Sequence, residues 1–377
     1  MTSLLPHIDP DGLLEYSVVF TDRSLNHMSK SFQGVMRDIS STLKRAYGAD
    51  AAIVVPGGGT YAMEAVARQF ATDTRCLVIR NGFFSYRWSQ IFDAGDIPAK
   101  QSVLKARPIN ADYQAALEPC PIENVVDEIA TFKPNLVFAP HVETASGMLL
   151  TDDYLAAVAD ATHKNGGLFV LDCVASGALW VNMREIGVDI LISAPQKGWS
   201  ASPCSGFVML GADALDRIDT TASSSFACDL KKWLEIMAAY ENGGHAYHAT
   251  LPTDALVRFS DAMRETEEFG FEKLRIGQQE LGDRVRSLLS DRGYMSVAAE
   301  RFQSPTVVVC HTDDVAIQNG SKFAAQGLQI AAGVPLMCDE PADFRSFRIG
   351  LFGLDKIGNV DRTVANLEQA LDAVAGS

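Results

Sequence analysis

Lys197 and Asp172 are the pair in this sequence whose types and placement best suit covalent chemistry. Residues 189–195 (DILISAP) read as a short buried strand that delivers Gln196-Lys197-Gly198 into a loop of small residues, WSASPCSG. Twenty-five residues before the lysine, a second apolar run, residues 167–171 (GLFVL), ends at Asp172. A lysine amine so placed suits a Schiff base with pyridoxal phosphate, and the aspartate suits a partner for the pyridinium nitrogen. The plain alternative is a surface lysine and a strand-end aspartate.

Pro56-Gly57-Gly58-Gly59-Thr60 follows a strand-like run and opens a helical one. Backbone N–H groups at such a turn, together with the helix dipole, form an anion site, and glycines let a phosphate approach closely. The same residues fit a loose Gly-x-Gly-x-x-Ala dinucleotide fingerprint, which requires an acidic residue about 20 positions on. That stretch is Arg80-Asn81-Gly82 and holds no carboxylate. A cofactor phosphate and a plain structural turn remain the two readings of the loop.

Other residues carry weaker signals. In HVETASG (141–147), Thr144 or Ser146 offers a hydroxyl to a cofactor's phenolic oxygen, or to the loop itself, while His141 alone reads as structural. Phe83-Phe84 follows a strand in a loop opened by Asn81-Gly82, where Phe84 suits stacking on a cofactor ring or a place in the core. Tyr247-His248-Ala249-Thr250 offers polar groups suited to a phosphate. Arg348 sits inside the apolar run FRIGL (347–351), where an unpaired guanidinium is costly, so it calls for an anion. A substrate carboxylate gripped by two parallel hydrogen bonds and a structural Asp or Glu partner both satisfy it.

The elements that must position these groups alternate. Strand-like runs occur at 51–55, 76–79, 136–139, 167–171 and 189–194; helical patterns occur at 60–71, 123–132 and 152–164. This alternation predicts an α/β fold with a mainly parallel sheet covered by helices. After about residue 255 the texture changes to a charged helical pattern over 254–292, strands at 306–310 and 347–351, and a closing helix over 360–374. A smaller α+β C-terminal domain is expected there, giving an arm over 1–20, a large domain over 21–265 and a small one over 266–377.

Composition narrows the class. The chain has 377 residues, 47% hydrophobic, and a net charge of −15, which argues against nucleic acid or an anionic membrane as a partner. Seven scattered cysteines without CxxC spacing suggest neither a disulfide framework nor a metal site. Without a signal-peptide pattern or an apolar run long enough to span a bilayer, the expected compartment is the reducing cytoplasm.

The ordered set GGGTYAMEA, RNGFFSYR, HVETASG, LDCVAS, SAPQKGWSASP, YHATLP and FRIGLFG resembles the class V pyridoxal-phosphate aminotransferases of the alanine–glyoxylate and serine–glyoxylate type. The resemblance runs from about Asn26-His27-Met28-Ser29 to Arg348-Ile349-Gly350 and implies fold type I and a homodimer with shared sites. It places the cofactor phosphate on Gly58, Gly59, Thr60 and Gln196, with Tyr247 and Thr250 reaching the partner subunit's cofactor. Thr144 meets the ring hydroxyl, Asp172 the ring nitrogen, and Phe84 the ring face. Arg348 binds the substrate carboxylate, with Asn26 and His27 beside the substrate. The implied activity moves an amino group from a small α-amino acid to a small 2-oxo acid, glyoxylate or pyruvate. The sequence departs from the family's Gly-Pro-Gly-Pro segment near the start, which reads Leu13-Leu14-Glu15-Tyr16-Ser17, and from its usual stacking tryptophan. The competing activity is a cysteine desulfurase or lyase, because Cys338 lies ten residues before Arg348. Against it stand Phe84 and Gln196, where desulfurases usually carry histidines.

Overall fold

A computed structural model describes residues 13, 16–18 and 23–375. The arm expected over 1–20 therefore lies mostly outside the described residues. The first long element is α1 (Lys30–Tyr47), opened by Ser29, whose side chain accepts from the Phe32 N–H, and closed by Gly48. The main sheet has seven strands: β1 (Ala51–Pro56), β2 (Arg75–Arg80), β3 (Lys100–Lys105), β4 (Leu136–Pro140), β5 (Leu168–Asp172), β6 (Ile190–Ser193) and β7 (Ser205–Leu210). Their order is β1-β7-β6-β5-β4-β2-β3. Neighbours from β6 to β3 run parallel, whereas β7 runs antiparallel to both β1 and β6.

Helices α2 (Gly59–Val66), α3 (Phe83–Gly95), α4 (Ile122–Phe132) and α5 (Asp152–Lys164) connect the early strands. Every residue of β4, β5 and β6 is buried, as in a parallel sheet covered on both faces. Burying side chains such as Val170 or Leu171 is worth roughly 1.5–3 kcal/mol each, so these central strands form a firm platform for the loops at their ends.

After β7 come α6 (Leu230–Glu241), α7 (Thr253–Phe269) and α8 (Phe271–Ser290). The single helical pattern expected over 254–292 is broken at Gly270, whose φ of 97° lies outside helical space. Residue 265, the expected domain boundary, falls within α7. A three-stranded antiparallel sheet follows, ordered β8 (Val307–His311), β10 (Ser346–Gly350), β9 (Ala331–Ala332). The closing helix α9 (Val360–Ala375) and α8 cover one face of that sheet through Leu281, Val285, Leu367 and Leu371. Strand alternation puts Phe347 and Ile349 into that core and leaves Arg348 on the opposite face. An arginine inside an apolar run is thus compatible with the sheet. Among the described residues, no helix is long and apolar enough to cross a membrane.

Candidate active site

Asp172 is the last residue of β5 and is buried. Its Oδ1 accepts the Val174 N–H at 2.9 Å. Burial raises the carboxyl to about 6, against the lowering effect of the Val174 N–H; Glu143 adds to the rise and the Arg87 charge opposes it. The next strand, β6, ends at Ser193, and Lys197 follows in the turn beyond it. Three anchors hold that turn. Gly198 passes so close to the 174–179 loop that a Cβ there would lie 2.1 Å from the Gly177 carbonyl oxygen. Trp199 is fully buried, with its ring 4.6 Å from Trp180 and 6.1 Å from Phe271. The Ser200 hydroxyl accepts the Leu354 N–H at 2.8 Å, tying the turn to the C-terminal part.

The Lys197 amine lies 4.5 Å from the centre of the Phe352 ring. Burial and the nearby Arg348 charge hold it below the usual lysine range. Arg348 donates its Nε–H to the Ala332 carbonyl at 2.8 Å and places its guanidinium 5.6 Å from the centre of the Phe84 ring. Among the described residues no carboxylate pairs with it at ion-pair distance, so the structural ion pair allowed by the sequence is not what this geometry shows. Burial lowers its pKa while Glu143 supports its charge.

Phe84 stands at the N-terminus of α3, not in the loop that the sequence suggested. What starts this helix is Glu143, fully buried at 0% exposure. Its carboxylate accepts from Phe84 N at 3.1 Å, Ser85 N at 2.8 Å, Ser85 Oγ at 2.7 Å and Ala145 N at 3.0 Å. One turn along, the Arg87 guanidinium lies 5.2 Å from the Phe84 ring centre and donates to Thr60 Oγ1 at 3.0 Å. Glu143, Arg87 and Phe352 were not singled out from the sequence, although all three stand within motifs it displays: HVETASG, RNGFFSYR and FRIGLFG.

Of the two hydroxyls in HVETASG, Thr144 is half-buried, whereas Ser146 is sealed and its Oγ has no partner among the described residues, so Thr144 is the more accessible one. His141 is buried, bonds Ser176 Oγ through Nδ1 at 2.7 Å and is pushed down to about 4 by burial; it is a neutral structural group. Gln196 is exposed on the Lys197 turn. Lys197, Asp172, Phe84, Thr60 and Arg348 are thus linked by short contacts or shared fields, while a second group gathers elsewhere. Tyr247 is 59% exposed, its hydroxyl 3.3 Å from Thr250 Oγ1 and its ring 5.6 Å from that of His27. Asn26 beside it is buried, with Oδ1 accepting from Met28 N at 2.9 Å. Within one chain, Tyr247, Thr250, Asn26 and His27 form their own cluster rather than joining Lys197.

Pyridoxal phosphate fits the first group. The site offers a desolvated amine, a buried carboxylate with no cation paired to it among the described residues, and an aromatic face at Phe84. A Cβ on Gly58 would meet nothing within 4 Å, so the turn before α2 opens onto free space, while one on Gly59 would strike Val174 at 2.9 Å. Cys338 does not suit a nucleophile. It is 5% exposed, its Sγ–H is directed at the Arg80 carbonyl, and burial raises its thiol to about 12. Its loop is clamped by Glu340, which accepts from Leu336 N, Met337 N and Cys338 N. Among the described residues no cluster of three or more His, Cys, Asp or Glu is arranged to hold a metal.

Comparison with known proteins follows the same lines. Residues 13–345 match the family described as aminotransferase class-V. The chain is 25% identical over 353 residues to a protein of Synechococcus sp. named soluble hydrogenase, small subunit, covering 93% of this chain and 86% of the relative. It is 27% identical over 338 residues to the 2-aminoethylphosphonate–pyruvate transaminase of Burkholderia ambifaria, covering 87% and 84%. In three dimensions it resembles the alanine–glyoxylate aminotransferase of Nostoc sp., with a TM-score of 0.77 at 21% identity, covering 92% of this chain and 89% of that one. With the family match spanning most of the sequence, this chain belongs to the class V aminotransferases, transaminases that depend on pyridoxal phosphate.

Proposed function

We propose that this transaminase moves the amino group of a small α-amino acid to a small 2-oxo acid, with glyoxylate or pyruvate as acceptor, in a ping-pong sequence. The relatives named for glyoxylate and pyruvate support the choice of acceptor. The observation that carries the reading is the Arg348 guanidinium, with no carboxylate at ion-pair distance among the described residues and 5.6 Å from the centre of the Phe84 ring, in a site where burial and its charge hold the Lys197 amine low and Asp172 is buried.

Each side chain then has a task. When bound, pyridoxal phosphate supplies a carbonyl that takes up the amino group and a ring that withdraws electrons from the α-carbon. Gly58, Gly59, Thr60 and Gln196 hold its phosphate, Thr144 its hydroxyl and Phe84 its face. Asp172 keeps a proton at the ring nitrogen, and that N–H⁺ partner in turn stabilises a carboxylate that burial disfavours. Arg348 grips the substrate carboxylate with both guanidinium arms. Lys197, its amine held below the usual lysine range, takes the proton from the substrate α-carbon as general base and returns it elsewhere. Asn26 and His27 border the substrate, and Tyr247 and Thr250 complete the phosphate site of the other subunit in a homodimer. We also assign residues 21–265 to the cofactor-binding domain and 266–377 to a smaller one.

The test is a half-reaction screen. Cofactor-loaded enzyme is mixed with single amino acids while the cofactor's absorbance is followed. Small α-amino acids should convert the spectrum, and glyoxylate or pyruvate should restore it. Borohydride reduction and peptide mapping should place the label on Lys197. Label on another lysine, or a spectrum answering only to amines without a carboxylate, overturns the assignment.

A further inference from the structure

Arg87 is a second guanidinium in the site. It is half-buried, and among the described residues no carboxylate pairs with it at ion-pair distance. Its one described hydrogen bond goes to the neutral Thr60 hydroxyl, 3.0 Å away at the start of α2. Its charge reaches Asp172, whose carboxyl it helps to hold down. It also shares the Phe84 ring with Arg348: the two guanidiniums lie 5.2 and 5.6 Å from the same ring centre.

Charge balance gives this placement a meaning. A phosphate monoester carries about −1.5 to −2 at neutral pH. The N-terminus of α2 offers about half a positive charge. The side chains assigned to the phosphate (Thr60, Gln196, Tyr247 and Thr250) are all neutral. Gly58 and Gly59 add only backbone. A dianion there lacks a full counter-charge unless a cation joins the site, and Arg87 already touches the residue that opens α2. By accepting from Arg87, Thr60 keeps its own hydroxyl proton free to donate.

We propose that Arg87 is a direct ligand of the cofactor phosphate. The proposal rests on the assignment of pyridoxal phosphate to the Lys197 site. In this arrangement one aromatic ring carries a cation for each anionic end of the reacting pair, Arg87 for the cofactor's phosphate and Arg348 for the substrate's carboxylate. The guanidinium's planar fork suits two phosphate oxygens at once.

The experiment strips holoenzyme of cofactor and titrates it with pyridoxal phosphate and, separately, with pyridoxal, which lacks the phosphate. Wild type, Arg87→Gln and Arg87→Lys are compared, with inorganic phosphate as competitor. Arg87→Gln should weaken pyridoxal phosphate at least tenfold, about 1.4 kcal/mol. Pyridoxal affinity should change less than twofold, and inorganic phosphate should lose its hold on the stripped variant. Arg87→Lys, which keeps the charge without the fork, should fall between, and it carries the test if the glutamine variant does not fold. Equal losses for both ligands would make Arg87 a structural support of Phe84 and overturn the proposal. So would unchanged affinities, or unchanged affinities with a raised KM for amino acids bearing a second anionic group. Wild type that shows no Lys197-dependent spectral change with either ligand would instead sink the site reading itself.

Discussion

Burial raises the Asp172 carboxyl from its usual 3.8 to about 6. The folded protein therefore binds that proton more tightly than the unfolded chain does. Stability is lost as pH rises from about 4 through 6, and the loss persists above, amounting to about 2–3 kcal/mol by linkage. A site without a cationic partner thus bears a cost, which the pyridinium would relieve under the proposed assignment. Asp172→Asn removes the titration and keeps an oxygen for the Val174 N–H. The cofactor-free variant should be more stable than cofactor-free wild type at pH 7.5, by about 1–3 kcal/mol, with the two converging near pH 4. The loaded variant should lose most of its turnover. Urea unfolding at several pH values measures the first effect, and parallel curves for the two proteins would refute the account of a strained carboxylate.

Elements explain why parts of this site were legible in the sequence and others were not. β5 and β6 are short runs buried on both faces, so their apolar composition alone announces them; Asp172, the last residue of β5, and Lys197, just beyond β6, are the residues proposed to carry the chemistry. The helix α3 gave no such sign. Its first residue follows Asn81-Gly82, with no side-chain cap from the preceding residues, because Glu143, 58 residues away from Ser85 in sequence, receives its first N–H groups. A local reading cannot see a cap supplied from another strand's loop. The antiparallel β7 was missed for a related reason: small residues ahead of it read as loop, and only pairing with both β1 and β6 makes it a strand. Glu143→Ala should leave two N–H groups of α3 and that of Ala145 without their acceptor, while the Ser85 hydroxyl can still donate to the Gly82 carbonyl. At about 1 kcal/mol for each donor, the loss should reach about 3 kcal/mol in denaturant unfolding. Because α3 also carries Phe84 and Arg87, the same variant should bind pyridoxal phosphate more weakly. A loss below about 1 kcal/mol would show that another group takes over the cap.

The molecule as a whole leaves several aromatic side chains in water. Tyr61 on α2, Phe226 and Tyr247 are 56%, 76% and 59% exposed. Tyr61 stands next to Thr60 at the proposed phosphate site, whereas Tyr247 and Thr250 lie with His27 in a different cluster of the same chain. In the proposed homodimer, a two-fold axis that brings these surfaces together would supply each site with the other subunit's Tyr247 and Thr250, and with Asn26 and His27 clustered beside them, the group that a single chain does not join to Lys197. Complementation tests it. Lys197→Ala leaves Tyr247 and Thr250 intact; the double variant Tyr247→Ala/Thr250→Ala leaves Lys197 intact. Each should be badly impaired alone. Unfolded together and refolded, half of the dimers should be mixed, and each mixed dimer holds one site with every residue in place and one lacking both contributions. The recovered activity should approach about a quarter of wild type. If mixed dimers, verified by mass, show no more activity than the parents, Tyr247 and Thr250 serve their own chain and the shared site is wrong. If the double variant keeps normal turnover and cofactor affinity, those residues do not touch the phosphate of either subunit.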